Sequence, residues 1–226
     1  MRQLLLGMLL TFAVSVCAAQ EKNMQKPDIK NLEDYFQFND VRQLSIFFGI
    51  ENVFTENVFY QKPEDGGKPY LVSQVNFGTP KAILVIWSGD GKVLCGVQAS
   101  AFYYDYKIKK MNLIPNNWKT KQGIHAGLKL TNLVKVNWFP LSIKTNGAKA
   151  NYGIVLPGFG RLKDQIKVPP ANQKLIYEYT LDLKNVNEQF AKSPKAILRS
   201  NNKIVKKLNP MLEMISIYRD GFKPEN

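Results

Sequence analysis

The sequence predicts an α+β fold: an antiparallel sheet with short helices packed on one face, arranged as two similar helix-plus-strands units. Three observations carry this expectation. Two short stretches near Val41–Phe48 and Leu130–Asn137 place apolar residues at helical spacing and end at a residue that stops a helix. Each is followed by several apolar or alternating runs of strand length. The connections between those runs are short, which suits antiparallel neighbours rather than the long crossovers of a parallel sheet.

In chain order, the N-terminus reads as an export signal over residues 1–19. Arg2 supplies a positive start, Leu4–Val16 is apolar, and Cys17-Ala18-Ala19 offers the small residues of a cleavage site. The apolar run is shorter than the roughly 20 residues needed to span a bilayer, and no later stretch qualifies as a transmembrane segment. The expected location is therefore the periplasm or the extracellular side. Lipid anchoring through Cys17 is the weaker alternative, since Val16 is a poor residue before a lipidated cysteine. Residues 20–38 are rich in polar side chains and read as a flexible leader, and residues 220–226 as a frayed tail.

The first unit, residues 39–120, opens on Asn39-Asp40, a good N-cap pair. Val41, Leu44 and Phe48 follow at i, i+3 and i+7, and Gly49 ends the helix because it tolerates positive φ. Ile50–Tyr60, Tyr70–Phe77, Ala82–Trp87 and Val93–Ala99 read as strands. Ser88-Gly89-Asp90-Gly91 is the hairpin turn between the last two. Ala101–Met111 interleaves tyrosines with lysines and is expected to form one exposed strand.

The second unit, residues 121–219, contains the helix defined by Leu130, Leu133, Val134 and Asn137. Two turns do not hold alone in water, so packing on a sheet must stabilise them, and Pro140 prevents their continuation. Asn151–Leu156 opens a strand. Leu175–Leu183 alternates, with Leu175, Tyr177, Tyr179, Leu181 and Leu183 on one face and Ile176, Glu178, Thr180 and Asp182 on the other. Val186–Ser200 reads as an irregular excursion and Leu208-Asn209-Pro210 as a turn. Leu212–Tyr218 alternates again, with Leu212, Met214, Ser216 and Tyr218 sharing a face.

Charge is unevenly spread within a net +13. Residues 20–105 hold 8 Lys and Arg against 11 Asp and Glu, whereas residues 106–226 hold 22 against 7. The second half therefore suits an anionic partner, such as an envelope component or another exported protein. Solubility alone would also account for it, and nucleic acid is not the expected partner.

The residues exclude several chemistries. One histidine, His125, and one cysteine beyond the export signal, Cys95, cannot build a usual zinc site, so no metal or cofactor is expected. Nothing local supports a Cys95–His125 nucleophilic pair. Gly66-Gly67 and Gly158-Phe159-Gly160 lack the lysine and the strand–loop–helix setting of a phosphate loop. Glu178 and Asp182, four apart on one strand face, are the carboxylate pair that a hydrolase of an acidic envelope polymer would use. A solvated strand face is the simpler reading, and the chain is expected not to be an enzyme.

Two groups are candidates for binding. Tyr103, Tyr104, Tyr106, Lys107, Lys109 and Lys110, with Trp118, Lys119 and Lys121 beyond them, combine aromatic faces with cations, a mix able to hold an acidic glycan, a lipid head group or nucleic acid. The competing reading is an edge strand guarded by lysines. Trp138-Phe139 either caps the core or forms a contact patch, with core capping the preferred expectation.

Ile124-x-x-Gly127-x-x-Leu130-x-x-Leu133-x-x-x-Asn137-x-x-Pro140 resembles a signature, I-x-x-G-x-x-L-x-x-L-x-x-x-N-G-x-P-F, of a family of uncharacterised exported bacterial proteins. Phe48-Gly49 with Glu51-Asn52-Val53, the run Phe77–Trp87, and Leu208-Asn209-Pro210 with Ile215 and Ile217 are similar to further family steps, in the same order. The helix–Gly–strand order is also similar, at the level of fold, to β-lactamase-inhibitor-like modules and an outer-membrane assembly lipoprotein. The resemblance implies an exported protein and brings no catalytic residue; the expected role is binding or structural, with a protein-inhibitor module as an alternative that shares the fold argument. The chain departs from the signature at Trp138, where the family has Gly, and at Lys129, where it has Ser or Thr. Only Asn151-Tyr152-Gly153 remains of a longer aromatic and glycine-rich family segment.

Overall fold

The computed structural model describes residues 27–59, 69–105, 108–114, 116–145, 151–156, 160–163, 167–168, 173–189, 197–220 and 222. Among these residues four short α-helices accompany twelve strands: α1 (Val41–Phe48), α2 (Leu130–Asn137), α3 (Lys184–Gln189) and α4 (Lys203–Leu208). The strands of the first half are β1 (Val53–Phe59), β2 (Pro69–Val75), β3 (Ile83–Trp87), β4 (Leu94–Ser100), β5 (Phe102–Asp105) and β6 (Lys110–Leu113). Those of the second half are β7 (Ser142–Thr145), β8 (Tyr152–Leu156), β9 (Lys167–Val168), β10 (Gln173–Asp182), β11 (Ile197–Arg199) and β12 (Leu212–Arg219).

One large antiparallel sheet dominates the molecule, so the fold is α+β but mostly β. Nine strands run in the order β1-β2-β3-β4-β12-β10-β8-β7-β11, with β9 paired to β10 off this path and β5–β6 forming a separate hairpin. Each half of the chain builds its own side of the sheet, and the last strand joins them. β12 lies between β4 and β10, matching Ile215 to Ala99 on one side and to Tyr179 on the other.

Alternation in the strands sets the two faces. Val75, Ile83, Val85, Trp87, Val97, Ala99, Leu175, Tyr179, Leu181, Ile215 and Ile217 point into the main core, shared with Leu44 of α1, Leu130 and Leu133 of α2 and Val205 of α4. Each buried Val, Leu or Ile among them contributes about 1.5–3 kcal/mol, which holds helices too short to persist alone. Asp40 caps α1 by accepting from the Gln43 amide, and Gly49 leaves that helix with φ +88°. The opposite face carries a smaller cluster of Ile86, Cys95 and Tyr218. Phe222, within the tail expected to fray, packs there with its ring 5.0 Å from that of Tyr70.

Several expectations are corrected. The leader expected through residue 38 becomes ordered core from Leu32 onward: a 3-10 turn spans Leu32–Gln37, and Leu32, Tyr35, Phe36 and Phe38 are all buried. Their spacing of three to four residues is an apolar face hidden among polar neighbours. The excursion from Val186 includes most of α3 and, after residues outside the described set, β11. The turn at Asn209 ends a helix, α4, whose N-cap Asn202 accepts from the amides of Ile204 and Val205. In β12 the register steps from Thr180↔Met214 to Leu181↔Leu212, leaving Glu213 as an extra residue. That bulge puts Leu212 on the same buried side as Ile215 and Ile217, rather than with Met214, Ser216 and Tyr218.

Around Tyr35 the core is aromatic: its ring lies 5.1 Å from Trp118, edge-on, and 5.7 Å from Phe48, stacked. Its hydroxyl is buried with no hydrogen-bond partner among the described residues. An unpaired buried hydroxyl costs roughly 1–3 kcal/mol. Tyr35→Phe should therefore raise the unfolding free energy by about 1 kcal/mol, read from denaturant midpoints at unchanged slope.

Candidate functional site

The tyrosine- and lysine-rich stretch from Ala101 to Met111 does not run as one exposed strand. It reverses at Ile108-Lys109, where Lys109 takes a left-handed φ of +49°. Antiparallel pairing of Phe102 with Leu113, Tyr103 with Asn112 and Tyr104 with Met111 makes the β5–β6 hairpin. A hairpin retains the two-residue period on both arms, so alternation alone could not separate it from a single strand.

The base of this hairpin is fixed to the sheet. Ala101 donates its amide to the Glu213 carbonyl at 2.8 Å, and Ile114 donates to Ala101 at 2.9 Å. Buried Asn116 donates Nδ2 to the carbonyls of Ala82, at 2.8 Å, and Ser100, at 3.2 Å, while its Oδ1 accepts from the Trp118 amide. Between hairpin and sheet lies a cavity of about 420 Å³, within the size range of small-molecule sites. Leu84, Gln98, Gln74 and Met214 of the sheet and Phe102, Tyr103, Met111 and Ile114 of the hairpin segment line it, with Phe77 and Thr79. Tyr103 lies edge-on to Phe77, with ring centroids 6.2 Å apart, and its hydroxyl accepts from Asn112 Nδ2 at 3.3 Å.

Few polar groups enter this largely apolar space. Gln98 donates Nε2 to the Tyr218 hydroxyl at 2.6 Å, and Gln74 donates to the Glu56 carboxylate at 3.3 Å. Phe77, Ile108, Met111 and Leu113 are more than half exposed, so apolar surface surrounds the hairpin as well as the cavity. Lys109 and Lys110, both exposed, sit at the turn immediately before Met111.

The sequence candidates thus separate. Tyr103, Lys109 and Lys110 belong to the hairpin, as does the backbone of Tyr104. Tyr106 and Lys107 lie outside the described residues. Trp118 is instead a half-buried part of the Tyr35 cluster, donating Nε1 to the Lys81 carbonyl at 3.0 Å. Lys119 and Lys121 hold the N-terminal turn: the Leu32 amide donates to the Lys119 carbonyl at 2.9 Å. The Lys121 amide donates to both oxygens of Glu33, at 2.9 and 3.1 Å. Trp138 is not the expected core cap, being 70% exposed, and neither is Phe139, at 51%. The cavity escaped sequence reasoning because its floor uses the outward positions Gln74, Leu84, Gln98 and Met214, and only a folded-over hairpin turns such a face into a pocket.

The excluded chemistries find no new support. Cys95 is nearly buried, its thiol pushed up to about 11 by burial, so little of it is the reactive thiolate at neutral pH. Its Sγ–H points to the Val93 carbonyl, while His125 Nδ1 lies 2.9 Å from the Ala126 carbonyl. Glu178 and Asp182 lie in β10 on the face opposite the main core and line neither the hairpin cavity nor a smaller one between α2 and α4. Asp182 accepts from the Lys184 amide, and its charge, after burial, helps hold the nearby Glu213 carboxyl above the usual range. No group of three or more metal-ligating side chains occurs among the described residues. None of their helices is long and apolar enough to cross a membrane. No protein-family model, curated protein or solved structure matches the chain.

Proposed function

We propose that the protein is an exported, non-enzymatic binding protein of the periplasm or cell surface that holds an anionic amphiphile beneath the β5–β6 hairpin. The cavity of about 420 Å³ between hairpin and outer sheet face carries this reading. Its apolar lining suits a hydrocarbon or aromatic group, and Met111 and Met214 supply flexible, polarisable walls that adapt to ligand shape. Lys109 and Lys110 at the hairpin turn offer a positive field for the head group. The N-terminal sequence supports export. The strand order supports two similar units, α1 followed by β1 to β4 and α2 followed by β7, β8, β10 and β12, each running from one side of the sheet to its centre.

Dodecanoate titrated into the full-length protein, followed by calorimetry, tests the proposal. Saturable one-to-one binding is expected. Leu84→Glu, which places a carboxylate on a half-exposed position of the cavity floor, should weaken binding at least tenfold while preserving the melting temperature. Lys109→Glu with Lys110→Glu should weaken dodecanoate more than dodecanol. Absence of saturable binding, or affinity indifferent to Leu84→Glu, would overturn the assignment.

A further inference from the structure

Trp138 occupies a backbone conformation that glycine adopts freely and a bulky side chain does not. It follows the last residue of α2 with φ +68°, its amide donating to the Val134 carbonyl. A left-handed conformation costs a non-glycine residue roughly 1–2 kcal/mol. Burial does not offset this cost, because most of the indole is in solvent. Residues held in such conformations cluster at active sites and ligand clamps, so the position is one to examine for binding.

The indole is also held in place. The Arg161 guanidinium lies over its ring, 4.8 Å from the centroid. The turn bearing Arg161 is tied to the helix end by fully buried Asn137, whose Oδ1 accepts from the Leu162 amide at 3.1 Å and whose Nδ2 donates to the Phe139 carbonyl at 3.0 Å. Gly160 approaches the Asn137 backbone so closely that no side chain would fit there. Lys135, exposed in the last turn of α2, adds a second positive charge at that end of the helix.

We propose that Trp138 and Arg161 form a preorganised platform for a uronic-acid unit of an anionic polysaccharide. The C–H face of a pyranose ring is weakly positive and complements the negative indole face that Arg161 does not cover; the carboxylate, at the rim of the ring, is drawn to the positive field of Arg161 and Lys135. The excess of 22 Lys and Arg over 7 Asp and Glu in residues 106–226 gives a polyanion a favourable approach. This platform shares no residue with the hairpin cavity and stands independently of the amphiphile proposal.

Oligogalacturonate, neutral malto-oligosaccharide of equal length and polyglutamate, each titrated into the full-length protein at physiological salt, form the test. Galacturonate should bind and perturb indole fluorescence, and malto-oligosaccharide should bind at least tenfold more weakly. Trp138→Ala should weaken galacturonate binding tenfold or more, Trp138→Phe much less, and Arg161→Gln should reduce both affinity and its salt dependence. Trp138→Gly, free of the left-handed strain, should lose binding while folding at least as well, separating recognition from stability. Polyglutamate bound as tightly as galacturonate, binding unchanged in Trp138→Ala, or no galacturonate binding would each overturn the proposal.

Discussion

Trp87→Ala should lower the unfolding free energy by about 4 kcal/mol, the usual range for emptying a buried tryptophan site being about 3–5 kcal/mol. The indole is fully buried at the end of β3. It also donates Nε1 to Ser73 Oγ at 3.1 Å, and that hydroxyl is 2.8 Å from Thr55 Oγ1. The side chain therefore connects three adjacent strands, and its removal leaves both a void and a weakened polar chain across β1, β2 and β3. For a chain of this size the loss corresponds to a melting shift of roughly 8–16 °C, measured by calorimetry. Trp87→Phe retains most of the volume and loses only the hydrogen bond, so its cost should be less than half as large. Equal melting temperatures for wild type and Trp87→Ala would show that the indole is not part of the core.

Glu33→Ala should cost about 3 kcal/mol for a different reason. Glu33 is only 2% exposed, yet its carboxylate accepts from the Lys121 amide and, at 3.0 Å, from the Tyr177 hydroxyl. Removal of an acceptor that leaves buried donors unpaired costs roughly 1–3 kcal/mol for each group. Burial raises the Glu33 carboxyl above its ordinary range, against the opposing pull of those hydrogen bonds. The folded state therefore binds this proton more tightly than the unfolded chain does. Its stabilising contribution is full below the ordinary glutamate pKa and is lost as pH rises through the raised folded value. Glu33→Gln lacks this proton linkage, so wild type should gain stability relative to Glu33→Gln as pH falls from 7 to 5. Parallel pH profiles for the two proteins would show that Glu33 does not titrate differently on folding.

Periodicity and turn chemistry revealed those parts of the fold that depend on neighbours in the sequence. The alternation of Leu175 to Leu183, the apolar run ending at Trp87, the Ser88–Gly91 turn and both Asp40-capped and Pro140-terminated helices all express local rules, and local rules survive folding. The failures share the opposite property. The bulge at Glu213 changes phase only because β10 sets the register. The buried face of Leu32, Tyr35, Phe36 and Phe38 has meaning only against Trp118 and Phe48, distant in sequence. Trp138 could be recognised as standing where the resembling family has glycine, but its contact with Arg161 depends on a turn fixed through Asn137, distant in sequence.

The placement of β12 also governs how the chain can acquire its structure. Gln98 and Tyr218, bonded across the sheet centre, are 120 residues apart, and closure of so long a loop is slow compared with hairpin formation. β1 to β4 can form by successive short-range pairing, as can β7 with β8, but the halves remain unjoined until the final strand inserts between them. A chain ending before Leu212 would expose the unpaired borders of β4 and β10 and be prone to self-association. Completion of the sheet therefore waits for β12, and loss of that strand would prevent the two halves from joining.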